Sequence, residues 1–351
     1  MKKIKVGILG ATGAVGQRFI QLLENHPWFE INFLLASKNS AGKKYKDAVN
    51  WKLNSKIPKN IKNQMVHCTG NAPVLAPYIQ NTQIMFSGLD SSIALEIEQY
   101  FASLGKHIVS NSKNHRMFNN IPLLIPEINH EHIKLIYNQT EKGKIITNPN
   151  CSTTFFTLIA GIINQKWPIE SMFVNTMQAI SGAGYPGLSS FDILDNVIPY
   201  IGNEEEKMEK EPLKIMGSIN KFSDIKISTH ANRVGVIDGH LENITIKFKN
   251  TSPSIEEIKA ELNNFISPLY DMKLPTAYKN PVQVFEENDR PQTRLDRGFL
   301  NGMGVSVGRI RKDNIFDVKM TVLGHNTIKG AAGGAILNAE LLINELNSLK
   351  K

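Results

Sequence analysis

The chain has 351 residues, 41% apolar and 21% charged, which is the composition of an ordinary globular protein. Its length predicts two domains, and no apolar run approaches the ~20 residues needed to cross a membrane. The net charge of +8 comes from scattered lysines without a basic tail, so we expect no nucleic-acid partner.

The cysteine content argues against a disulfide-stabilised or zinc-binding protein. Cys68 and Cys151 are the only cysteines, and two cannot form a disulfide framework. No cluster of histidines and cysteines has the spacing of zinc ligands. We therefore expect a cytoplasmic protein without a metal site.

The beginning of the chain has the pattern of a nucleotide-binding strand, turn and helix. Ile4 to Leu9 predict a buried strand, which is followed by the turn Gly10 to Gly16 and the helical run Gln17 to Asn25. Glycines stand at 7, 10, 13 and 16. This spacing is G-x-x-G-x-x-G rather than the commoner G-x-G-x-x-G. Glycines at such a turn let a pyrophosphate approach the backbone at a helix N-terminus. The pattern predicts a dinucleotide-binding unit.

The end of the second predicted strand, Glu30 to Ala36, indicates which dinucleotide binds. An NAD site places an Asp or Glu there to bind the ribose 2′-hydroxyl. This chain has Ser37, Lys38 and Ser40 instead. Hydroxyls and a cation without a carboxylate favour the 2′-phosphate of NADP, although the segment could also be a polar surface loop.

Alternating strands and helices continue through the first 150 residues and predict a parallel sheet. The further elements predicted here are the strands Gln83 to Ser87, His107 to Ser110 and Lys144 to Thr147, and the helix Ile93 to Leu104.

A cysteine stands where a turn meets a predicted helix. Asn148 to Thr154 surround Cys151, and the apolar run Phe155 to Ile163 follows. The positive end of a helix dipole and its free N–H groups favour a thiolate. Cys151 is thus either a nucleophile or a small buried side chain at a turn, and this stretch alone does not decide between them.

The pattern changes in the second half of the chain. We predict strands at Ser171 to Ala179, Asn232 to Asp238, Ile244 to Phe248, Gly304 to Arg309 and Phe316 to Leu323, and helices at Asn203 to Met216, Ser254 to Phe265 and Gly330 to Leu346. The predicted fold is α/β. A Rossmann-type doubly wound parallel sheet in residues 1–150, with the C-terminal helix 330–351, precedes an α+β domain with a mixed or antiparallel sheet in 151–329.

A base and a cation are available for chemistry at a cysteine. His240 is the best candidate base, and Arg233 and Arg116 could bind an acidic substrate. Arg233 and His240 are seven residues apart, so one regular strand would point them to opposite faces. The turn signal Asp238-Gly239 could redirect His240. A turn histidine beside a structural arginine is the alternative.

Several ordered motifs resemble one family, aspartate-β-semialdehyde dehydrogenase, in its archaeal/fungal-like branch. They are Gly10 to Phe19, Asn148 to Thr153, Gln178 to Gly187, Asn232 to Val234 with Asp238 to His240, and Gly330 to Gly333. The resemblance implies an NADP(H)-linked, phosphorylating enzyme that reduces L-4-aspartyl phosphate to L-aspartate 4-semialdehyde in lysine, threonine and methionine synthesis. It also implies a homodimer or homotetramer and small-molecule substrates.

The resemblance assigns roles to individual residues. Cys151 is the acyl-thioester nucleophile, His240 the acid/base, and Gln178 orients the intermediate. The implied substrate contacts are Arg116, Asn150, Glu204, Lys207 and Arg233, with the neighbouring Glu205 as the alternative to Glu204. The implied cofactor contacts are Gly10, Thr12, Gly13, Ala14, Val15, Ser37, Lys38, Ser40, Ser87, Ser181, Gly182, Gly184 and Asn326.

Other functions on the same scaffold remain alternatives. N-acetylglutamyl-phosphate reductase carries Gly-Cys-Tyr where this chain has Asn150-Cys151-Ser152. Malonyl-CoA reductase does not need to bind an α-amino group, so Glu204 distinguishes it. A non-enzymatic NADP-binding regulator is the alternative from a different functional class.

Overall fold

The computed structural model describes residues 3–68 and 72–348, which form two compact units. The first contains the chain up to Leu124, the segment Ile133–Asn148 and the chain from Ala332 onward. The second contains Ile125–His132 and Pro149–Ala331. Each unit has its own six-stranded sheet, and the predicted fold class is confirmed.

The sheet of the first unit is parallel throughout, in the order β3-β2-β1-β4-β5-β6. Its strands are β1 (Ile4–Leu9), β2 (Phe29–Leu35), β3 (Val66–His67), β4 (Ile84–Ser87), β5 (His107–Ser110) and β6 (Ile145–Thr147). Such strands are continuous apolar runs because a parallel sheet buries both faces. The strand order reverses between β1 and β4, and open α/β sheets bind ligands at that point.

Helices connect these strands, and the first one begins earlier than predicted. They are α1 (Ala14–Leu23), α2 (Tyr45–Ala48), α3 (Lys59–Lys62), α4 (Ala72–Asn81) and α5 (Ser91–Ser103). Helix α1 begins at Ala14 rather than Gln17 because Gly13, in an extended conformation, serves as its N-cap. A Cβ on Gly16 would lie 2.2 Å from the carbonyl oxygen of Gly10, so helix and turn pack too closely for a side chain.

The second unit has a mixed sheet in the order β10-β11-β12-β9-β7-β8. Its strands are β7 (Ile169–Gln178), β8 (Lys226–Arg233), β9 (His240–Phe248), β10 (Val282–Val284), β11 (Val305–Lys312) and β12 (Val318–Gly324). The pairs β7–β8 and β10–β11 are parallel, and the other pairs are antiparallel. In this register Gln178 at the end of β7 lies opposite Arg233 at the end of β8.

The predicted strand Asn232 to Asp238 is wrong. Strand β8 ends at Arg233, where the prediction nearly began, and a loop follows to Gly239. Gly239 has a φ of +98°, a conformation that β strands do not use. Most of β8 escaped prediction because it is an edge strand whose outward residues are polar, such as Lys226, Ser228 and His230.

The helices of the second unit are α6 (Pro126–Asn129), α7 (Cys151–Lys166), α8 (Ser190–Ile193), α9 (Glu204–Ile215), α10 (Ile255–Asn264) and α11 (Thr293–Asp296). The second unit also has short 3₁₀ segments at Ile180–Ala183 and at Phe299–Gly302, where Leu300 and Asn301 have left-handed backbone. The 3₁₀ segment His130–Asn138 begins in the second unit and ends in the first. A capping box between Ser254 and Glu257 begins α10.

The last helix, α12 (Gly333–Ser348), follows a π-helical turn at Ile328–Ala332 and belongs to the first unit. It bonds to other parts of that unit, for example from Asn338 Nδ2 to Asn148 Oδ1 at 2.9 Å. Within the described part of the chain, no helix combines the length and apolar character that crossing a membrane requires.

Candidate active site

Cys151 is the first residue of the long, largely buried helix α7. The helix begins there because Asn150 caps it, with Oδ1 accepting hydrogen bonds from the backbone N–H groups of Ser152 and Thr153 at 3.0 and 3.2 Å. Cys151 therefore lies at the positive end of a helix of 16 residues. The location predicted from the turn-to-helix pattern is confirmed, although the helix starts four residues before the apolar run.

Cys151 is paired with His240, the first residue of β9. The Sγ atom of Cys151 lies 3.1 Å from Nε2 of His240. The other ring nitrogen, Nδ1, accepts the backbone N–H of Ala179 at 3.0 Å, so in the neutral ring the proton is on Nε2, facing the sulfur. Burial, with the charges of Arg233 and His325, holds the pKa of His240 well below 6.5. A neutral imidazole thus presents an N–H to the sulfur of Cys151.

Arg233 adds a buried cation next to this pair. Its Nη1 donates to the carbonyl oxygen of Ala179 at 2.7 Å. Burial lowers the pKa of Arg233, while the charges of Cys151 and Glu204 act in the opposite direction. The guanidinium stays protonated, because its ordinary pKa is far above neutral. It can therefore bind an anionic group in front of the cysteine.

The positions of Arg233 and His240 settle the problem of their spacing. They lie on β8 and β9, on either side of β7, and so do not have to share one strand. The short 3₁₀ segment after β7 passes close to both side chains. A Cβ on Gly182 would lie 2.7 Å from Arg233 Nη1 and 3.3 Å from His240 Cε1. Only a residue without a side chain leaves this space open.

Gln178 is buried at the end of β7. Its Nε2 donates to Thr176 Oγ1 at 3.2 Å and approaches Met208 Sδ at 3.8 Å. The strand register places Gln178 opposite Arg233, and its orienting role stays a prediction.

The structure distinguishes the three consecutive glutamates at the start of α9. Glu204 is buried, and its Oε1 accepts Asn150 Nδ2 at 2.7 Å while its Oε2 accepts Lys207 Nζ at 2.9 Å. The side chains of Glu205 and Glu206 are 40% and 70% exposed. Glu204 therefore connects directly to Asn150, the N-cap of α7.

Two buried glutamates near the site were not predicted. Glu211 accepts the backbone N–H of Asn150 at 2.7 Å. Glu242 accepts the backbone N–H of Phe156, and burial raises its pKa well above the usual value. Glu211 is seven residues after Glu204, two helical turns, so helical periodicity could have identified it. Glu242 has no comparable signal in the sequence.

The predicted cofactor residues belong to both units. The first unit contains Gly10, Thr12, Gly13, Ala14, Val15, Ser37, Lys38, Ser40 and Ser87; the second contains Ser181, Gly182, Gly184 and Asn326. In the second unit, Asn326 is engaged at both ends of its amide. Nδ2 donates to Ser181 Oγ at 2.8 Å, and Oδ1 accepts the N–H of Gly239 at 2.9 Å.

Arg116, a predicted substrate contact, is also a residue of the first unit. It is largely buried, and its Nη2 donates to the carbonyl oxygen of Asn111 at 2.7 Å. Among the described residues, no cluster of three or more His, Cys, Asp or Glu side chains could hold a metal ion.

Two family models match the chain. The model for the semialdehyde dehydrogenase NAD binding domain covers residues 5–136, and the model for the semialdehyde dehydrogenase dimerisation domain covers residues 159–329.

The chain is also similar over its whole length to individual proteins. It is 46% identical to the aspartate-semialdehyde dehydrogenases of Schizosaccharomyces pombe and Archaeoglobus fulgidus, over 97% and 98% of this chain and 98% and 99% of those proteins. The Saccharomyces cerevisiae enzyme is 44% identical over 97% of this chain and 98% of its own length.

Solved structures agree with this assignment. The crystal structure of the Candida albicans aspartate-semialdehyde dehydrogenase with NADP has a TM-score of 0.90 and 42% identity, covering 97% of this chain and 99% of that one. Aspartate-semialdehyde dehydrogenase II from Vibrio cholerae, complexed with ASA, has a TM-score of 0.78 and 26% identity, covering 98% and 99%. The predicted resemblance is confirmed: the chain belongs to the aspartate-semialdehyde dehydrogenase family.

Proposed function

We propose that this chain reduces L-4-aspartyl phosphate to L-aspartate 4-semialdehyde with NADPH and releases phosphate, and that it also catalyses the reverse reaction. The single observation that carries the proposal is the 3.1 Å contact between Cys151 Sγ and His240 Nε2 at the start of a buried helix. The buried Arg233 next to them adds the anion site that an amino-acid substrate requires. The names of the full-length relatives support the same reaction.

The residues of the first unit fit a bound dinucleotide. Gly10 has a φ of +81°, and a Cβ there would lie 2.8 Å from the carbonyl oxygen of Gly88, so the turn is shaped by the lack of side chains. Within the described structure, the buried Ser87 Oγ has no hydrogen-bond partner. When bound, the nicotinamide supplies or accepts a hydride. The residues of this unit that would hold the dinucleotide are Gly10, Thr12, Gly13, Ala14, Val15 and Ser87.

NADP(H) is the cofactor that we propose. Ser37, Lys38 and Ser40 follow β2, and their hydroxyls and cation suit a 2′-phosphate. The Candida albicans relative was solved with NADP, which supports the same choice. Contacts from Ser181, Gly182, Gly184 and Asn326 stay predictions.

Cys151 performs the covalent step. Its thiolate attacks the carbonyl carbon of the acyl phosphate; the C–S bond forms, the bond from carbon to the phosphate oxygen breaks, and phosphate leaves. The thioester carbon then accepts the hydride, and the resulting oxyanion expels the Cys151 thiolate as the aldehyde forms. The phosphate anion takes the one proton that the overall reaction consumes.

The tautomer of His240 makes its ring a hydrogen-bond donor in these reaction steps. Since Nδ1 accepts the N–H of Ala179, a second ring proton would face another hydrogen. We therefore propose that Nε2–H donates a hydrogen bond first to the thiolate of Cys151 and then to the oxyanion that forms on the thioester carbon. In this tautomer His240 stabilises both charges by hydrogen bonding and transfers no proton, and its acid/base role stays a prediction.

Buried polar groups of the second unit would hold the substrate. Arg233 would bind the α-carboxylate with two parallel hydrogen bonds, and Glu204 the α-amino group. Lys207, next to Glu204, would bind phosphate, and Gln178 would orient the reacting carbonyl group. Asn150 would contact the substrate next to Cys151. Phosphate binding by Arg116 stays a prediction.

We also propose that the protein works as a homodimer or homotetramer in lysine, threonine and methionine synthesis. The matched dimerisation domain supports self-association. The cytoplasmic location remains a prediction from composition.

An assay of the purified full chain tests the proposal. With aspartate semialdehyde, phosphate and NADP, NADPH should appear, and omitting phosphate should abolish its formation. NAD in place of NADP measures cofactor preference. NADPH oxidation with malonyl-CoA, without any reaction of the semialdehyde, would contradict the proposal in favour of the alternative reductase, which the comparisons do not favour.

A further inference from the structure

Two buried carboxylates on one face of α9 hold Asn150, the residue before the nucleophile. Glu204 Oε1 accepts its side-chain Nδ2, and Glu211 Oε2 accepts its backbone N–H, both at 2.7 Å. The two glutamates are seven residues apart, so two turns of α9 bring them to the same side. With Oδ1 used to cap α7, Asn150 is fixed from three directions.

The contact of Glu211 is made away from water. Glu211 is 2% exposed, and the nearby Lys214 is 4% exposed, with its pKa lowered to about 8 mainly by burial. Burying a carboxylate is unfavourable unless hydrogen bonds replace the lost water. Charge-assisted bonds of this kind are short and about twice as strong as neutral ones. The short bond to Asn150 is therefore a rigid connection between α9 and the start of α7.

That connection meets the chain one residue before Cys151. The backbone N–H of Asn150 lies one residue before Cys151, so the bond to Glu211 restricts rotation about φ of Asn150. This dihedral sets the direction in which the chain enters α7, and thus the aim of Cys151 Sγ towards His240 Nε2. If Cys151 Sγ moves by a fraction of an ångström, it is no longer aligned with His240 Nε2.

We propose that Glu211 is a positioning residue for Cys151, acting through the backbone N–H of Asn150. The inference rests on the proposed function. This positioning role requires an acceptor oxygen at the distance that a glutamate side chain reaches. If the site needed only a negative charge nearby, Glu211→Asp would be more active than Glu211→Gln. Glu211→Gln keeps the reach and one acceptor oxygen, whereas Glu211→Asp keeps the charge and withdraws it by one methylene.

The kinetic order of the variants tests this role. We expect Glu211→Ala to lower kcat by about 100-fold and Glu211→Asp by a similar factor, because misalignment of about 1 Å costs about that much. Glu211→Gln should lose less than about 10-fold, since a neutral acceptor replaces a charged one. KM for the semialdehyde should change much less than kcat.

Three controls separate positioning from general damage. Glu206→Gln, on the exposed side of the same helix, should behave as wild type. All variants should keep the wild-type affinity for NADP. They should also keep the wild-type stoichiometry of Cys151 alkylation by iodoacetamide, which mass spectrometry distinguishes from alkylation of Cys68. Any one of three results would overturn the inference. Glu211→Ala could keep the wild-type kcat, Glu211→Asp could be more active than Glu211→Gln, or the loss of kcat could equal the loss of alkylatable Cys151. An inactive wild-type protein would instead refute the proposed function.

Discussion

Gly330→Ala is a small change that should displace the nucleophile. A Cβ at this position would lie 2.9 Å from Cys151 Cβ, 3.1 Å from Cys151 Cα and 3.1 Å from Phe155 Cζ. Since carbon atoms normally pack at about 3.5 Å or more, the new methyl must push Cys151 or its own backbone by at least about 0.6 Å. Cys151 is the first residue of α7, and its Sγ lies 3.1 Å from His240 Nε2. Moving Cys151 therefore changes this distance.

The expected loss of activity follows from that displacement. A misplacement of about 1 Å costs about 100-fold in rate, so we expect kcat of Gly330→Ala to fall by roughly 10- to 100-fold. Overpacking should lower the free energy of unfolding by about 1–3 kcal/mol, which denaturant titration measures. NADP affinity should not change.

Gly298→Ala is the matched control. Among the described residues, nothing lies within 4 Å of a Cβ at Gly298, and its φ of −84° suits any residue. It should retain wild-type kcat and stability. If Gly330→Ala is as active as Gly298→Ala, the tight placement of Cys151 against Gly330 does not matter for turnover.

Three further predictions concern the reacting groups. Cys151→Ala should abolish turnover and leave NADP affinity nearly intact in a fluorescence titration; residual steady-state turnover would refute the thioester. Arg233→Lys should lower kcat/KM for the semialdehyde by about 10- to 100-fold, because a lysine cannot form the paired bonds to a carboxylate; an unchanged value would mean that the carboxylate binds elsewhere. Since the pKa of His240 lies well below 6.5, kcat should not fall with a midpoint near 6.5 as the pH decreases. The unfolded chain binds a proton there and the folded protein does not, so the contribution of His240 to stability should decrease below pH 6.5, as pH-dependent melting would detect.

The sequence alone predicted most strands of the first unit, but not the elements between β2 and β4, which are α2, α3, β3 and α4. Buried parallel strands such as β1 and β5 are short apolar runs between turns, and both were located at their observed bounds, Ile4–Leu9 and His107–Ser110. The glycine-rich turn and the cysteine at a helix start were recognisable because glycine spacing and helix capping are local properties. Side-chain chemistry in ordered motifs was also sufficient to indicate the family.

Where elements depend on an edge position or on polar faces, the sequence prediction failed. Strand β8 lacks an apolar pattern, so Asn232 to Asp238 was predicted as the strand in its place. Pairing with β7 defines β8, and no local signal contains that information.

The tertiary structure alone decided how the site is assembled. It brought Cys151 and His240, 89 residues apart, into contact and placed Ala179 N–H on Nδ1, which sets the tautomer. It also buried Glu204, the first of three consecutive glutamates, against Asn150 and showed that Glu211 accepts the backbone N–H of Asn150. The reason is physical: side-chain types indicate which reactions are possible, whereas protonation and aim depend on backbone groups contributed by other strands and helices.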